Sequence, residues 1–164
     1  MQPADGTPPL HVVLVQPEIP PNTGSIARLC AATFTRLHLV RPLGFSLSDR
    51  HLKRAGLDYW PHVDVRVHDD WSAFVASERP ATMVCLSARA EPAYLTAPLE
   101  RVPLYLVFGG ETSGLPDSVR LACATALYRI PIFSPHVRSL NLATAVAVVL
   151  YEVLRRRGGL GDVR

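Results

Sequence analysis

Residues 129–152 read RIPIFSPHVRSLNLATAVAVVLYE. A short apolar run ends at Pro131, a polar turn covers Ser134 to Asn141, and a long apolar segment begins at Leu142. In that segment Ala143, Val146, Ala147, Leu150 and Leu154 recur at the i, i+3, i+4, i+7 spacing of one helical face. Ala145, Val148 and Val149 make the opposite face apolar too, so the helix is expected to be buried all round, in a large core or against a second chain. Ser139 and Asn141 are expected to cap its start, and Arg155 to Arg157 before Gly158 mark its end. The turn in front presents backbone N–H groups with Arg138, Ser139 and Asn141 at a helix N-terminus, a place suited to an anion or a polar ligand edge.

The chain has 164 residues, the length of one domain that buries roughly 70% of its unfolded surface. Residues 1–9 are expected to form a flexible tail, residues 10–157 a single domain and residues 158–164 a second tail. A net charge of +3 and a pI near 9.0 lean toward a polyanionic partner. Cys30, Cys85 and Cys123 are odd in number, widely spaced and set among apolar neighbours. With no C-x-x-C they read as buried, reduced thiols and speak against a disulfide framework or a zinc site. Met1 to Pro9 has neither the basic start nor the apolar core of a signal peptide, and no apolar run reaches membrane-spanning length. A cytoplasmic protein away from membranes is expected.

From the N-terminus, Leu10–Val15 reads as the first strand and QPEIPPNTG (Gln16–Gly24) as an irregular loop. Asn22 or Thr23 then caps a helix with Ile26, Leu29, Cys30 and Phe34 on one face. Leu37–Val40 is the second strand. A short helix from Ser48 to Gly56 carries Arg50, His51, Lys53 and Arg54. Val63, Val65 and Val67 alternate with polar residues as a third strand, and a helix holding Trp71, Phe74 and Val75 ends before Pro80. Thr82–Leu86, Leu104–Phe108 and Leu127–Ile130 are the remaining strands, with Pro116 in the first turn of a helix before the last. Strands alternating with helices imply an α/β fold, a mostly parallel six-stranded sheet covered on both faces.

Ligands of a parallel sheet bind beyond the carboxyl ends of its strands. Three loops of unusual composition leave such ends: QPEIPPNTG, GGETSGL and SPHVRSLN. No G-x-G-x-x-G follows the first strand and no G-K-[ST] occurs, so dinucleotide and P-loop readings lose their main support.

Three stretches carry a family resemblance: NTGSIAR (Asn22–Arg28), FGGETSGL (Phe108–Leu115) and IPI…RSLNLATAV…YE (Ile130–Glu152). In this order they resemble the motifs of the SpoU family, RNA ribose 2′-O-methyltransferases of the SPOUT superfamily. PEIPPNTG and RAGLDY (Arg54–Tyr59) extend the likeness to the small branch that methylates the wobble ribose, cytidine or uridine, in the anticodon stem-loop of tRNA. The resemblance implies a C-terminal trefoil knot, a homodimer, S-adenosylmethionine as methyl donor and no metal. It implies a donor pocket of Leu86, Gly109, Gly110, Ile130, Ile132, Ser139, Leu140 and Asn141, in which glycine admits the main chain close to the ligand.

The resemblance makes Arg28 the catalytic arginine, with Asn22, Glu111 and Ser139 beside it. A guanidinium keeps its proton, so Arg28 suits gripping a phosphate and stabilising an alkoxide better than acting as a base. Ser139, Glu111, water or a phosphate oxygen then takes the proton. Asn22 also reads as a helix cap that ties the loops together, and Glu111 equally as a tie through backbone N–H groups. Tyr151 and Glu152 read as packing residues, and His136 as an exposed loop histidine. Arg28, Arg50, Lys53, Arg54 and Arg138 are candidates to contact RNA, with Tyr59 or Trp60 to stack a base. Two departures from the family pattern stand out: SPHVRSLN is one residue longer than the family's usual loop, and Phe34-Thr35 replaces Gly-Phe. A non-catalytic RNA-binding module of the same fold, or 2′-O-methylation of another RNA such as rRNA, are the alternatives.

Overall fold

Six short apolar segments assemble into one sheet in the computed structural model, which describes residues 10–48 and 60–158. The strands are β1 (Leu10–Val15), β2 (Arg36–Val40), β3 (Val65–His68), β4 (Met83–Leu86), β5 (Leu104–Gly109) and β6 (Leu127–Tyr128). Every pairing is parallel and the order is β3-β2-β1-β5-β4-β6. Strands β1, β2 and β5 are buried along their whole length, as parallel strands covered on both faces must be.

Alternation along the strands sends side chains into two layers. Val12, Leu14, Leu104, Leu106 and Phe108 join one apolar cluster with helix α1 (Pro20–Ala32) and helix α4 (Leu142–Arg156). Val13, Val15, Tyr105 and Val107 join another with Phe74 of helix α2 (Trp71–Glu78) and Val119 of helix α3 (Asp117–Ala122). Asp70 caps α2 by accepting from the Ala73 N–H at 2.8 Å, and Arg79, at φ 46, ends it before Pro80.

Several boundaries differ from the sequence reading. Helix α1 starts at Pro20, inside the stretch expected to be irregular, because the first turn of a helix spends no N–H group on intrahelical bonds and so tolerates Pro20 and Pro21. Asn22 and Thr23 therefore lie within α1, and Ile19 holds the cap position with no side-chain cap. Strand β3 begins at Val65, since the Val63 N–H closes a turn onto the Trp60 carbonyl. Strand β6 stops at Tyr128, beyond which Arg129 makes a single bridge to Ala93. On α4 the buried stripe is Leu142, Val146, Val149, Leu150 and Val153. Val149 belongs to that stripe, while Thr144, Val148 and Tyr151 are exposed in the single chain, which is therefore not buried all round. The Ser48–Gly56 segment with Arg50, Lys53 and Arg54 lies outside the described residues apart from Ser48, as do most of the two tails.

Phe34 occupies the left-handed region at φ 50 with its ring 71% exposed. An L side chain there costs roughly 1–2 kcal/mol, and this ring gains little burial in return. Phe34→Gly is therefore expected to raise stability by about 0.5–1 kcal/mol in urea unfolding, after glycine's greater unfolded-state entropy is subtracted. A lowered midpoint would contradict the strain.

A row of histidines crosses the α2 face. His11 Nδ1 meets His38 Nε2 at 3.0 Å, and His38 Nδ1 meets His68 Nε2 at 3.0 Å. Tyr105 stacks on His11 at 4.1 Å, and Phe74 sets its edge against His38 and His68. Burial, reinforced by His11, His68, Arg36 and Arg66, holds the His38 pKa down at about 2. Burial also lowers that of His68. Both are neutral in the fold at neutral pH and become protonated in the unfolded chain below about pH 6.5. Stability present above that pH must then fall as the pH drops, by about 1.4 kcal/mol per pH unit for each proton bound only on unfolding. Urea midpoints between pH 5 and 7.5 check this; a flat profile would contradict it.

Candidate active site

The parallel register brings Val15, at the end of β1, beside Gly109, at the end of β5, and Leu86 beside Phe108. The chain from β1 turns toward β2 and the chain from β5 toward β6, so the strand order reverses between them, where parallel sheets open a crevice. Side chains then bind the loops together. The Glu111 carboxylate accepts the Glu18 N–H at 2.7 Å, the Ile19 N–H at 3.2 Å and the Asn22 side-chain amide at 3.1 Å. Asn22 Oδ1 in turn accepts from the Asn141 amide at 3.0 Å. Asn141 Oδ1 caps α4, accepting the N–H groups of Ala143 and Thr144 at 2.9 and 3.3 Å. One hydrogen-bonded chain thus joins the loop after β1, the loop after β5 and the start of α4.

The glycines serve the same closure. A Cβ on Gly109 would lie 2.0 Å from the Gly114 carbonyl carbon and 2.1 Å from the Leu115 nitrogen. On Gly110 it would lie 2.5 Å from the Gln16 oxygen and 2.8 Å from Glu18 Oε1. In the structure these glycines let the loop fold back on itself and against its neighbour. Gly114, at φ +69, supplies the return, and its N–H donates to the Gly110 carbonyl at 2.9 Å.

The loops enclose a cleft of about 520 Å³. All eight residues expected in the donor pocket line it: Leu86, Gly109, Gly110, Ile130, Ile132, Ser139, Leu140 and Asn141. Phe108 and Leu115 extend its apolar wall, and Asn22, Glu111 and Arg138 also line it. Residues 130–141 run along it outside helix and sheet, so their peptide groups are committed to no ladder. Asn141 caps α4 as expected, whereas Ser139 is an exposed residue of the lip and not a cap.

Other expected residues fall elsewhere. Arg28 is an exposed residue of α1, farther along the helix than Asn22, and does not line the cleft of a single chain. His136 is exposed and also outside the lining. Glu152 holds Arg155 at 2.8 Å and Arg156 at 2.7 Å, which keeps its carboxyl well below the usual carboxylate range and fits a packing role. Tyr151 is exposed, and Arg50, Lys53, Arg54 and Tyr59 lie outside the described residues. Sequence reasoning missed Glu18, Thr112, Arg89 and Arg120. Arg89 and Arg120 line the cleft, and Asp117 holds Arg120 at 2.8 Å.

The profile of the SpoU rRNA methylase family matches residues 9–151. A tRNA (cytidine(34)-2'-O)-methyltransferase of Methylovorus glucosotrophus is 46% identical over 153 residues, covering 93% of this chain and 98% of its own. A structure from work on the 2-OH methylation of C/U34 on tRNA superposes with a TM-score of 0.84 at 52% identity, covering 92% of this chain and 97% of the other. An AdoMet-bound rRNA methyltransferase of Sinorhizobium meliloti gives a TM-score of 0.79 at 28% identity, covering 90% of this chain and 56% of that one.

Gly109→Ala places a methyl carbon against backbone and must open the β5 loop. The variant is expected to lose at least about 2 kcal/mol of stability, the scale of overpacking, and most of its affinity for a cleft ligand. Urea unfolding and calorimetric titration check both; a wild-type midpoint would contradict the close packing.

Proposed function

Because the chain belongs to the SpoU RNA methylase family, we propose that it is an S-adenosylmethionine-dependent tRNA ribose 2′-O-methyltransferase acting on the wobble nucleotide, cytidine or uridine 34. The observation that carries this reading is the single cleft, in which all eight expected donor residues meet at the reversal of strand order. Full-length similarity to a relative named for methylation of cytidine 34 supports the substrate.

The residues fit the donor. A cleft of about 520 Å³ is within the size range of ligand pockets, roughly 300–1,000 Å³. Leu86, Ile130, Ile132 and Leu140 form an apolar slot for an adenine ring, and the peptide groups of Ile130, Ile132, Ser139 and Leu140, outside helix and sheet, can read its edge. When bound, S-adenosylmethionine supplies a methyl group already activated on its sulfonium, a chemistry that requires no metal.

What remains for the chain is to hold a ribose in line and manage a proton. Arg28, on the exposed side of α1, grips a phosphate and offsets the charge developing on the 2′ oxygen, keeping its own proton throughout. Ser139, exposed on the lip beside the cleft, is the side chain placed to relay that proton to water or phosphate. Both Glu111 oxygens are engaged by loop donors, so its part is to hold the loops, and Asn22 shares it. Arg138 in the cleft, with Arg50, Lys53 and Arg54 of the helix expected from the sequence, extends the basic surface for the anticodon stem-loop.

A homodimer belongs to the same reading. Val148 and Tyr151 on α4 are 37% and 46% exposed, an apolar stripe suited to a second copy. So does a knotted C-terminus: the chain passes along the β5 loop from residue 130 to residue 141 before α4 packs against α1.

S-adenosylhomocysteine at about 100 times its Kd is expected to stabilise the protein by about 2.7 kcal/mol, read as a rise of several degrees in Tm. Arg28→Ala is expected to keep that shift while tRNA methylation falls about 100- to 1,000-fold. Nucleoside analysis of reacted tRNA should place the new 2′-O-methyl group at position 34. No ligand shift, or methylation at another position, would overturn the reading, and unchanged turnover in Arg28→Ala would remove Arg28 from it.

A further inference from the structure

The Glu18 carboxylate, in the loop after β1, accepts from Thr112 twice: the N–H at 3.2 Å and the hydroxyl at 2.6 Å. Glu111, in the loop after β5, reaches the opposite way to the N–H groups of Glu18 and Ile19 at 2.7 and 3.2 Å. Each of the two adjacent loops therefore contributes one carboxylate and receives the other's. Each carboxylate is thus satisfied by donors from the facing loop.

Neighbouring glycines are fitted to Glu18. A Cβ on Gly110 would stand 2.8 Å from Glu18 Oε1, and one on Gly44 would stand 2.7 Å from Glu18 Cα. Gly44 also donates its N–H to the Pro17 carbonyl at 2.9 Å, which backs the loop from behind. The carboxylate thus lies directly on Gly110, a residue of the cleft wall, and its backbone opens α1, the helix that carries Arg28.

We propose that Glu18 is a positioning residue: with Thr112 it forms the second half of a reciprocal clasp that ties the entry to α1, the helix that carries Arg28, to the β5 loop of the cleft wall. The kinetic part of this proposal rests on the methyl-transfer reading above. The clasp acts on α1 more than on the donor wall, because Gly109 is fixed separately by its packing against Gly114. Displacing a substrate-positioning helix by about 1 Å can cost as much as 100-fold in rate.

The test compares Glu18→Ala, Thr112→Val, Thr112→Ser and the Glu18→Ala/Thr112→Val double variant in the full chain. Glu18→Ala and Thr112→Val are each expected to lower kcat on tRNA about tenfold or more, with the Kd for S-adenosylhomocysteine within about twofold of wild type. Thr112→Ser, which keeps both donors, should stay near wild type, and the double variant should be no slower than Glu18→Ala alone. Amide exchange gives a readout independent of activity: Glu18→Ala should speed exchange at residues 18 and 19, whose own acceptor, Glu111, is untouched. Protection unchanged there, losses that multiply in the double variant, a donor Kd that rises in step with lost activity, or a Glu18→Ala chain that fails to fold beside an active Thr112→Val would overturn the proposal. A wild-type chain that methylates no tRNA defeats the functional reading alone and leaves the exchange measurement to decide the clasp.

Discussion

The site depends on one carboxylate. Glu111 takes three donors into two oxygens, two from the loop after β1 and one from the first turn of α1, and each donor comes from about 90 residues earlier in the chain. The first turn of α1 has no side-chain cap; Pro20 and Pro21 carry no N–H, the Asn22 and Thr23 N–H groups close onto the Ile19 carbonyl, and Glu111 secures the backbone of Glu18 and Ile19 just before the helix. An acid from another loop thus anchors the entry to α1 and ties the helix start to the cleft wall. Asn22 and Asn141 carry the same tie to α4, so the two helices on one face of the sheet are aligned by polar contacts at their N-terminal ends and by apolar packing along their length.

This division of labour separates holding from reacting. Asn22, Glu111 and Asn141, all drawn from the family's motifs, are consumed in bonds to one another and to backbone. The groups left to meet ligands are the apolar slot, the peptide groups of residues 130–141, Ser139 and the arginines. An enzyme that transfers a methyl group from a preactivated donor needs little acid–base power from its side chains; it needs orientation, and a preorganised site supplies that.

Much of this was legible in the chain. Each of the three loops follows a short apolar run, buried in β1 and β5 and half-buried in β6, which is why their meeting at one rim of the sheet could be read in advance, and Asn141 precedes an apolar helix in the usual manner of a cap. The start of α1 was misread because prolines were taken as breakers when a first turn accepts them. The apolar periodicity of α4 showed a helix but not which stripe would be covered, since Val148 and Val149 differ only in what packs against them. Glu18 and Thr112 left no local trace at all: their partners are 94 residues apart, and neither has a neighbour in sequence that marks the pairing. The histidine row was equally silent, because His11, His38 and His68 each sit in an ordinary strand and only the sheet brings them together.

The pairing of β1 with β5 has a consequence for biosynthesis. Residues 10–15 are made early relative to their central partner, residues 104–109, which appears only after about 90 more have been made. At about 5–20 residues per second a nascent chain spends several seconds with that apolar strand open on one side. Until then only the β1–α1–β2 unit and β3 can assemble, with half the eventual sheet absent. An apolar strand therefore waits through most of translation with one edge unpaired, a vulnerability that the finished fold conceals.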